Sequence, residues 1–179
     1  MGSIKSAPWA HPFIAVMFTT EEQKQSILKR VTEHYGKILG SGPVYLVTDN
    51  TDYYVKEFGR HLQKQFLVFE SPVSLENYHR IKVWSNQIEI ETKPAVTSHR
   101  IVNIDPGYLE PSKLVLFSTK NYSHRIYVAD GIFAEVTMLY AHGKFVQLPW
   151  TYTDYYREEN LKFLIEMRKQ IVKISRRRL

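Results

Sequence analysis

The chain has 179 residues, 44% hydrophobic and 13% aromatic, enough to bury one core, and it reads as a single domain over 1–179. It has no cysteine, which excludes a disulfide framework, a zinc–thiolate site and a thiol nucleophile. The net charge of +6 equals the six cations Arg168, Lys169, Lys173, Arg176, Arg177 and Arg178 of a basic tail over 168–179, so the body is balanced and no broad nucleic-acid face is indicated.

In chain order, residues 1–12 read as an N-terminal arm, broken by Pro8, His11 and Pro12 and poor as a secretory signal. No stretch approaches the ~18 apolar residues of a membrane span, so a soluble, cytoplasmic protein without a membrane partner is expected. FIAVMF (13–18) predicts a buried strand. TTEEQKQSILKRVTEHYG (19–36) predicts a helix capped by Thr19 or Thr20, with Glu21 and Glu22 in its first turn and Gly36 as its stop. VYLVTD (44–49) after the GSGP turn and QFLVFES (65–71) predict two more strands. SLENYHRIKVWSNQIEIET (74–92) carries apolar residues near helical spacing, and HRIVNID (99–105) reads as a strand. LVLFST (114–119) fits a strand or a helix, further strands are expected to residue 150, and 157–175 reads as a terminal helix. The predicted class is α+β: a ferredoxin-like βαββαβ core, extended by a C-terminal antiparallel hairpin or meander and a terminal helix.

TDYY occurs twice, at 51–54 and 153–156, each before a predicted helix start. Two readings stand side by side. Thr and Asp cap free amides, with Glu57 and Glu159 near the positive helix end; or the two loops line one cleft and place tyrosines in it.

The densest chemistry lies in STKNYSHRIYVADGIFAEVTMLY (118–140). Asp130-Gly131 between alternating runs predicts a type I′ hairpin. With those two residues as the loop, His124 faces Thr137, Ile126 faces Glu135 and Val128 faces Phe133, while Arg125 falls on the other side. His124 and Glu135 are then diagonal neighbours within side-chain reach. A histidine oriented by a glutamate builds a general base or a phosphate-contacting imidazolium, so these two are the candidate catalytic pair; an ordinary ion pair on a half-solvated strand is the alternative. Asp105-Pro106-Gly107-Tyr108 has the residue types of a type II turn. Gathering His99, Asp105, His124 and Glu135 around a divalent ion finds no support in ligand spacing, and no metal site is expected. The triplet HRI at 79, 99 and 124 is too short to mean repetition. Neither a P-loop, a G-x-S-x-G elbow, an H-E-x-x-H motif nor paired H-x-[ST] motifs are present.

NIDPGYL, SKLVL, STKNYSHRIY, DGIFAEVT and LPWTYTDY together resemble an uncharacterised bacterial family, a domain of unknown function about as long as this chain. TDYYVKEFG (51–59) resembles its first tyrosine-rich segment. Family members often carry the label "GTP-binding protein". The resemblance implies a guanine nucleotide through that label and lends no catalytic residues, and the chain has no N-K-x-D motif.

The expected function is binding of a phosphate-bearing ligand, a nucleotide or an RNA end. Lys120 would meet phosphate as a point charge, Arg125 would add a bidentate contact, and His124 oriented by Glu135 would contact or protonate an oxygen. Asp105, Gly107, Thr137, Thr153 and Asp154 complete the expected ligand site, with Tyr108 and Tyr155 as its stacking face. The alternatives are phosphoester hydrolysis or transfer by His124 and Glu135, and a non-catalytic protein-interaction module. The residues name no particular cofactor.

Overall fold

The computed structural model describes residues 2–94 and 99–176. The elements are β1 (Trp9–Phe18), α1 (Glu21–Tyr35), β2 (Ile38–Ser41), β3 (Tyr45–Leu46), α2 (Val55–Phe58), β4 (Gln63–Phe69), β5 (Val73–Ser74), α3 (Arg80–Glu91), β6 (Val102–Leu109), β7 (Lys113–Ser118), β8 (Ile126–Ala129), β9 (Ile132–Ala141), β10 (Lys144–Gln147) and α4 (Glu158–Arg176). The strands form one large antiparallel sheet in the order β10-β9-β7-β6-β1-β4-β2, with β3, β5 and β8 pairing off that path. This is a mixed α/β architecture, with four helices among the described residues.

β1 lies mid-sheet and buries both faces. Ile14, Val16 and Phe18 meet Ile27, Val31 and Tyr35 of α1 and Ile81 and Ile88 of α3. Phe13 and Ala15 point the other way, into a second core with Leu164, Met167 and Ile171 of α4. Strand alternation and two amphipathic helix systems thus produce three layers. α1 begins as its sequence dictates: Thr20 and Gln23 form a capping box, and Gly36 closes the helix at φ 78°.

Several expectations shift. β1 starts at Trp9, so the last residues of the expected N-terminal arm are strand. The strand expected over 44–49 shrinks to Tyr45–Leu46 and runs into a 3-10 turn; the longer partner of β4 on that side is β2, which takes in Gly40 and Ser41 of the expected GSGP turn. Residues 74–92 split into β5 and α3, which begins only at Arg80. Of residues 114–119, all but Thr119 belong to strand β7. The basic segment continues α4 to Arg176, while 177–179 lie outside the described residues.

The largest correction concerns Asp105-Pro106-Gly107-Tyr108, which is β6 strand and not a turn. Gly107 pairs with Leu116 at the last rung shared by β6 and β7. A Cβ there would lie 1.9 Å from the Val115 carbonyl oxygen, so glycine is required for close approach between strands, not for a left-handed backbone. Pro106 sits just beyond that rung, still opposite Ile14 of β1, and has no N–H to offer β7. From there β6 and β7 part and the sheet opens into a fork. Across the gap α3 replaces the missing strand: the Ile104 N–H donates to Glu89 Oε1 at 2.7 Å, and its carbonyl accepts from Lys82 Nζ at 2.9 Å. Both side chains are buried, so β6 keeps its backbone groups satisfied without a strand neighbour.

Candidate functional site

The fork opens onto the α4 side of the sheet, beyond the end of the apolar core. Along one face each strand turns from apolar to polar: Phe66 to Lys64 on β4, Gly107 to Asp105 and Asn103 on β6, Leu116 to Ser118 on β7. A recess of about 170 Å³ lies in the fork, lined by Asn103, Asp105, Lys82, Arg100 and Glu135 among others. It opens into a cleft of about 590 Å³ walled by Tyr53, Tyr54, Tyr122, Trp150 and Tyr152, with Lys120 and His124 on its rim. Both TDYY segments reach this cleft, the first through Thr51, Tyr53 and Tyr54, the second through Thr153 and Asp154.

They do not reach it as helix caps. The α2 N-cap is Tyr54, which makes no side-chain cap bond, and residues 153–156 form a separate 3-10 turn. Asp154 instead holds buried Lys64 at 2.7 Å and accepts from the Tyr45 hydroxyl at 2.8 Å. Nor are the expected stacking tyrosines in place. Tyr155 is fully buried against Phe66, with ring centroids 4.6 Å apart, and Tyr108 packs on the opposite face against Tyr78 and Phe117. Gly107 serves the strand pairing, and Thr153 lines the cleft.

The hairpin turn has the predicted conformation, with Asp130 at φ 53° and Gly131 at φ 75°. Its register does not. An irregularity between Tyr127 and Ala129 shifts the pairing by one, so Tyr127 faces Phe133 and Ile126 faces Ala134, not Glu135. That slip turns Arg125 toward Glu135. The Arg125 Nε donates to Glu135 Oε2 at 2.6 Å, with the two side chains only 5% and 2% exposed. His124 precedes the strand, free of its alternation, and its Nε2 still lies 3.1 Å from the same oxygen. Thr137 donates to Glu135 Oε1 at 3.3 Å. Glu135 is therefore the hub of a satisfied network rather than a free base. Arg125 is committed too, with its Nη1 donating to Ser118 Oγ and the Lys120 carbonyl and its Nη2 to the Tyr152 hydroxyl, each at 3.0 Å. Burial opposes its charge, but the Glu135 hydrogen bond and charge outweigh burial and raise its pKa. The His124 ring lies between Tyr122 and Trp150, nearly parallel to both at 11° and 8°.

A second arginine hub, unforeseen from sequence, forms the opposite wall. Arg100 grips Glu57 with Nε and Nη2 at 2.7 and 3.0 Å, while its Nη1 reaches Glu89 Oε2 at 3.0 Å and Asn103 Oδ1 at 2.7 Å. The hydrogen bond from Arg100 lowers the Glu57 pKa, whereas burial raises that of Glu89 despite Lys82 and Arg100 nearby. The only sequence hint was Glu57, three residues after the first TDYY; nothing local ties residue 57 to residue 100.

Asp105 stands apart. Half-buried, it lines both recess and cleft, and its carboxylate makes no hydrogen bond or ion pair with any described residue. Burial first, and the Asp105 charge second, hold the Tyr54 phenol above its ordinary range. Lys120 Nζ donates to the Tyr53 hydroxyl at 3.3 Å and lies 5.6 Å from the centroid of that ring. Among the described residues no three His, Asp or Glu side chains gather as metal ligands, so His99, Asp105, His124 and Glu135 do not form such a set. No described helix is long and apolar enough to cross a membrane.

The profile of a domain of unknown function, DUF4416, matches residues 8–171. The chain belongs to the DUF4416 family. No curated protein and no solved structure matches it. The DUF4416 match spans both arginine hubs, the fork and both TDYY segments, so every wall of the cleft lies within the family's domain.

Proposed function

We propose that this chain binds a phosphate-bearing ligand with a flat ring, a nucleotide or the end of an RNA, in the cleft between the two TDYY segments. The observation that carries this reading is the convergence of distant segments, 50–54, 120–125 and 149–154, on one aromatic-walled cleft with a lysine that is held there by the Tyr53 hydroxyl and paired with no carboxylate among the described residues. Aromatic side chains supply stacking faces for a ring, and Lys120 supplies a point charge for phosphate. Arg125 lines the cleft and Arg100 the recess, and the donors of both are largely taken. In the same reading the core β2-β4-β1-β6, antiparallel with α1 and α3 on one face, is a ferredoxin-like unit enlarged by β7–β10; its strand order supports that assignment.

The test is a thermal-shift and calorimetric screen with mono-, di- and triphosphates of each base, GTP among them, and with pyrophosphate. Binding should weaken at least about tenfold in Lys120→Ala, the scale of a charge-assisted hydrogen bond. If no phosphate compound raises the melting temperature, the reading fails and an interaction module takes its place; the exposed Ile126 and Tyr127 of β8 are where that module would be sought.

A second reading is favoured by the 3.1 Å approach of His124 Nε2 to Glu135: phosphoester hydrolysis or transfer with His124 as proton carrier. The Arg125 contact makes Glu135 an orienter rather than a base. Turnover on a phosphoester panel that survives His124→Ala would remove this histidine from any mechanism.

A further inference from the structure

The recess in the fork holds two polar groups that the fold leaves unanswered. One is the Asp105 carboxylate, without a donor among the described residues. The other is the Asn103 amide, 4% exposed, whose Oδ1 is taken by Arg100 but whose Nδ2 is buried with no partner. The two sit at i and i+2 on the same face of β6, so an acceptor and a donor lie side by side at the floor of one cavity. Leaving a buried amide unpaired and a carboxylate half-desolvated destabilises the free protein. Neither arginine relieves it: Arg100 is spent on Glu57, Glu89 and Asn103 Oδ1, and Arg125 on Glu135, Ser118, Lys120 and Tyr152. The recess measures about 170 Å³, close to the roughly 150 Å³ that admits one benzene ring. It therefore suits a single ring with polar edges, while the outer cleft suits what hangs from that ring.

We propose that Asp105 and Asn103 read the edge of the ligand's ring, Asp105 accepting N–H donors and Asn103 Nδ2 donating to a neighbouring carbonyl or ring nitrogen, so that the site selects amino-bearing heterocycles. The chemistry gives the sign of the selection. A carboxylate attracts an exocyclic amino group and repels a carbonyl in the same place, and a site built around a polar partner rejects an isostere that leaves it unpaired. The inference rests on the proposed ring-and-phosphate ligand and adds the identity of the ring edge.

Two matched pairs test it, each differing by amino against oxo on the same ring: cytidine against uridine monophosphate, and guanosine against xanthosine monophosphate. Calorimetric titration of the full chain should find at least one amino member bound at least about tenfold tighter than its oxo partner. Asp105→Asn, nearly isosteric, should close that gap by weakening the amino member, and Asn103→Ala should weaken it with Asp105 intact; the second variant carries the test if the first does not fold. Equal affinity within both pairs, or a gap that persists in both variants, overturns the proposal. Pyrophosphate separates this from the reading beneath it. Stabilisation by pyrophosphate without any amino preference sinks the edge-reading alone. An Asp105-dependent preference among free nucleosides, with pyrophosphate inert, sinks the phosphate reading alone. Silence from every probe sinks both.

Discussion

The same face of the same strands is built in two ways. Under α4, Phe13, Phe66, Val68, Leu114 and Met138 pack with Tyr155 and Leu164 into an apolar core. A few residues further along, Lys64, Asn103, Asp105, Ser118 and Glu135 replace them, and α4 no longer covers the sheet. In the first half the polar atoms are few and apolar burial supplies the stability. In the second, charged groups hold one another in two arginine hubs, and what they leave unsatisfied faces a cavity. The contrast teaches where stability and function divide: a filled apolar core leaves no room for a ligand, whereas a polar wall beside a cavity is costly to fold and offers groups for a ligand to meet.

The strongest way to break this comparison is to delete one anchor from each half. Phe66→Ala removes a fully buried ring touching Phe13, Tyr45 and Tyr155 and should lower stability by about 3–5 kcal/mol in urea denaturation. Arg125→Ala leaves the Glu135 carboxylate buried without its nearest cation, at a cost of about 3–5 kcal/mol. The halves differ in repair. Arg125→Met combined with Glu135→Leu should recover most of that loss, because an apolar pair of similar volume often matches a buried ion pair. If the double substitution stays as unstable as Arg125→Ala, the polar half is structural and the division drawn above is wrong.

Gly107→Ala probes the seam between the halves. Its new Cβ meets a backbone carbonyl, which cannot swing aside as a side chain would. The expected loss is about 1–3 kcal/mol, the range of overpacked sites, with amide exchange rising in β7 residues 114–116 more than in β4. Unchanged exchange there would show that the fork does not depend on this contact.

How much of this could be read from sequence follows the range of each signal. α1 was legible because a capping box, a stripe and a terminal glycine lie within one short segment. So was the Asp130-Gly131 turn, which needs two residues at positive φ and spells them out. The meeting of His124 and Glu135 was foreseen, but through a register that the irregularity near Val128 does not keep; the contact survives because His124 stands outside the strand. The strand through Asp105-Pro106-Gly107-Tyr108 was hidden because proline and glycine also mark turns, and only the neighbouring Val115 carbonyl shows why glycine is there. Tyr155 and Tyr108 lie in the TDYY and DPGY motifs, but a motif does not say which way a ring points, and a tyrosine serves a core as well as a cleft. Arg100 with Glu57, far apart in the chain, obeys no spacing rule that a single sequence displays.

The finest test lies inside the Arg100 hub, where two carboxylates on one guanidinium carry opposite signs. The Arg100 hydrogen bond holds the Glu57 pKa below its ordinary 4.5, so its contribution to stability is present above that value and is lost as pH falls through the folded pKa. Burial holds the Glu89 pKa above 4.5, so folding takes up a proton there and stability falls as pH rises from 4.5 through the folded pKa. Glu57→Gln should therefore flatten the acid limb of a stability–pH curve, and Glu89→Gln the slope just above it. Both changes are near-isosteric, and a glutamine at 89 still offers an oxygen to the Ile104 N–H. Urea denaturation from about pH 3 to 7 reads both slopes directly. Two variants bending the curve in the same direction would mean that Glu89 behaves as an ordinary ion-pair carboxylate, and that its role of standing in for a strand costs the fold nothing in charge burial.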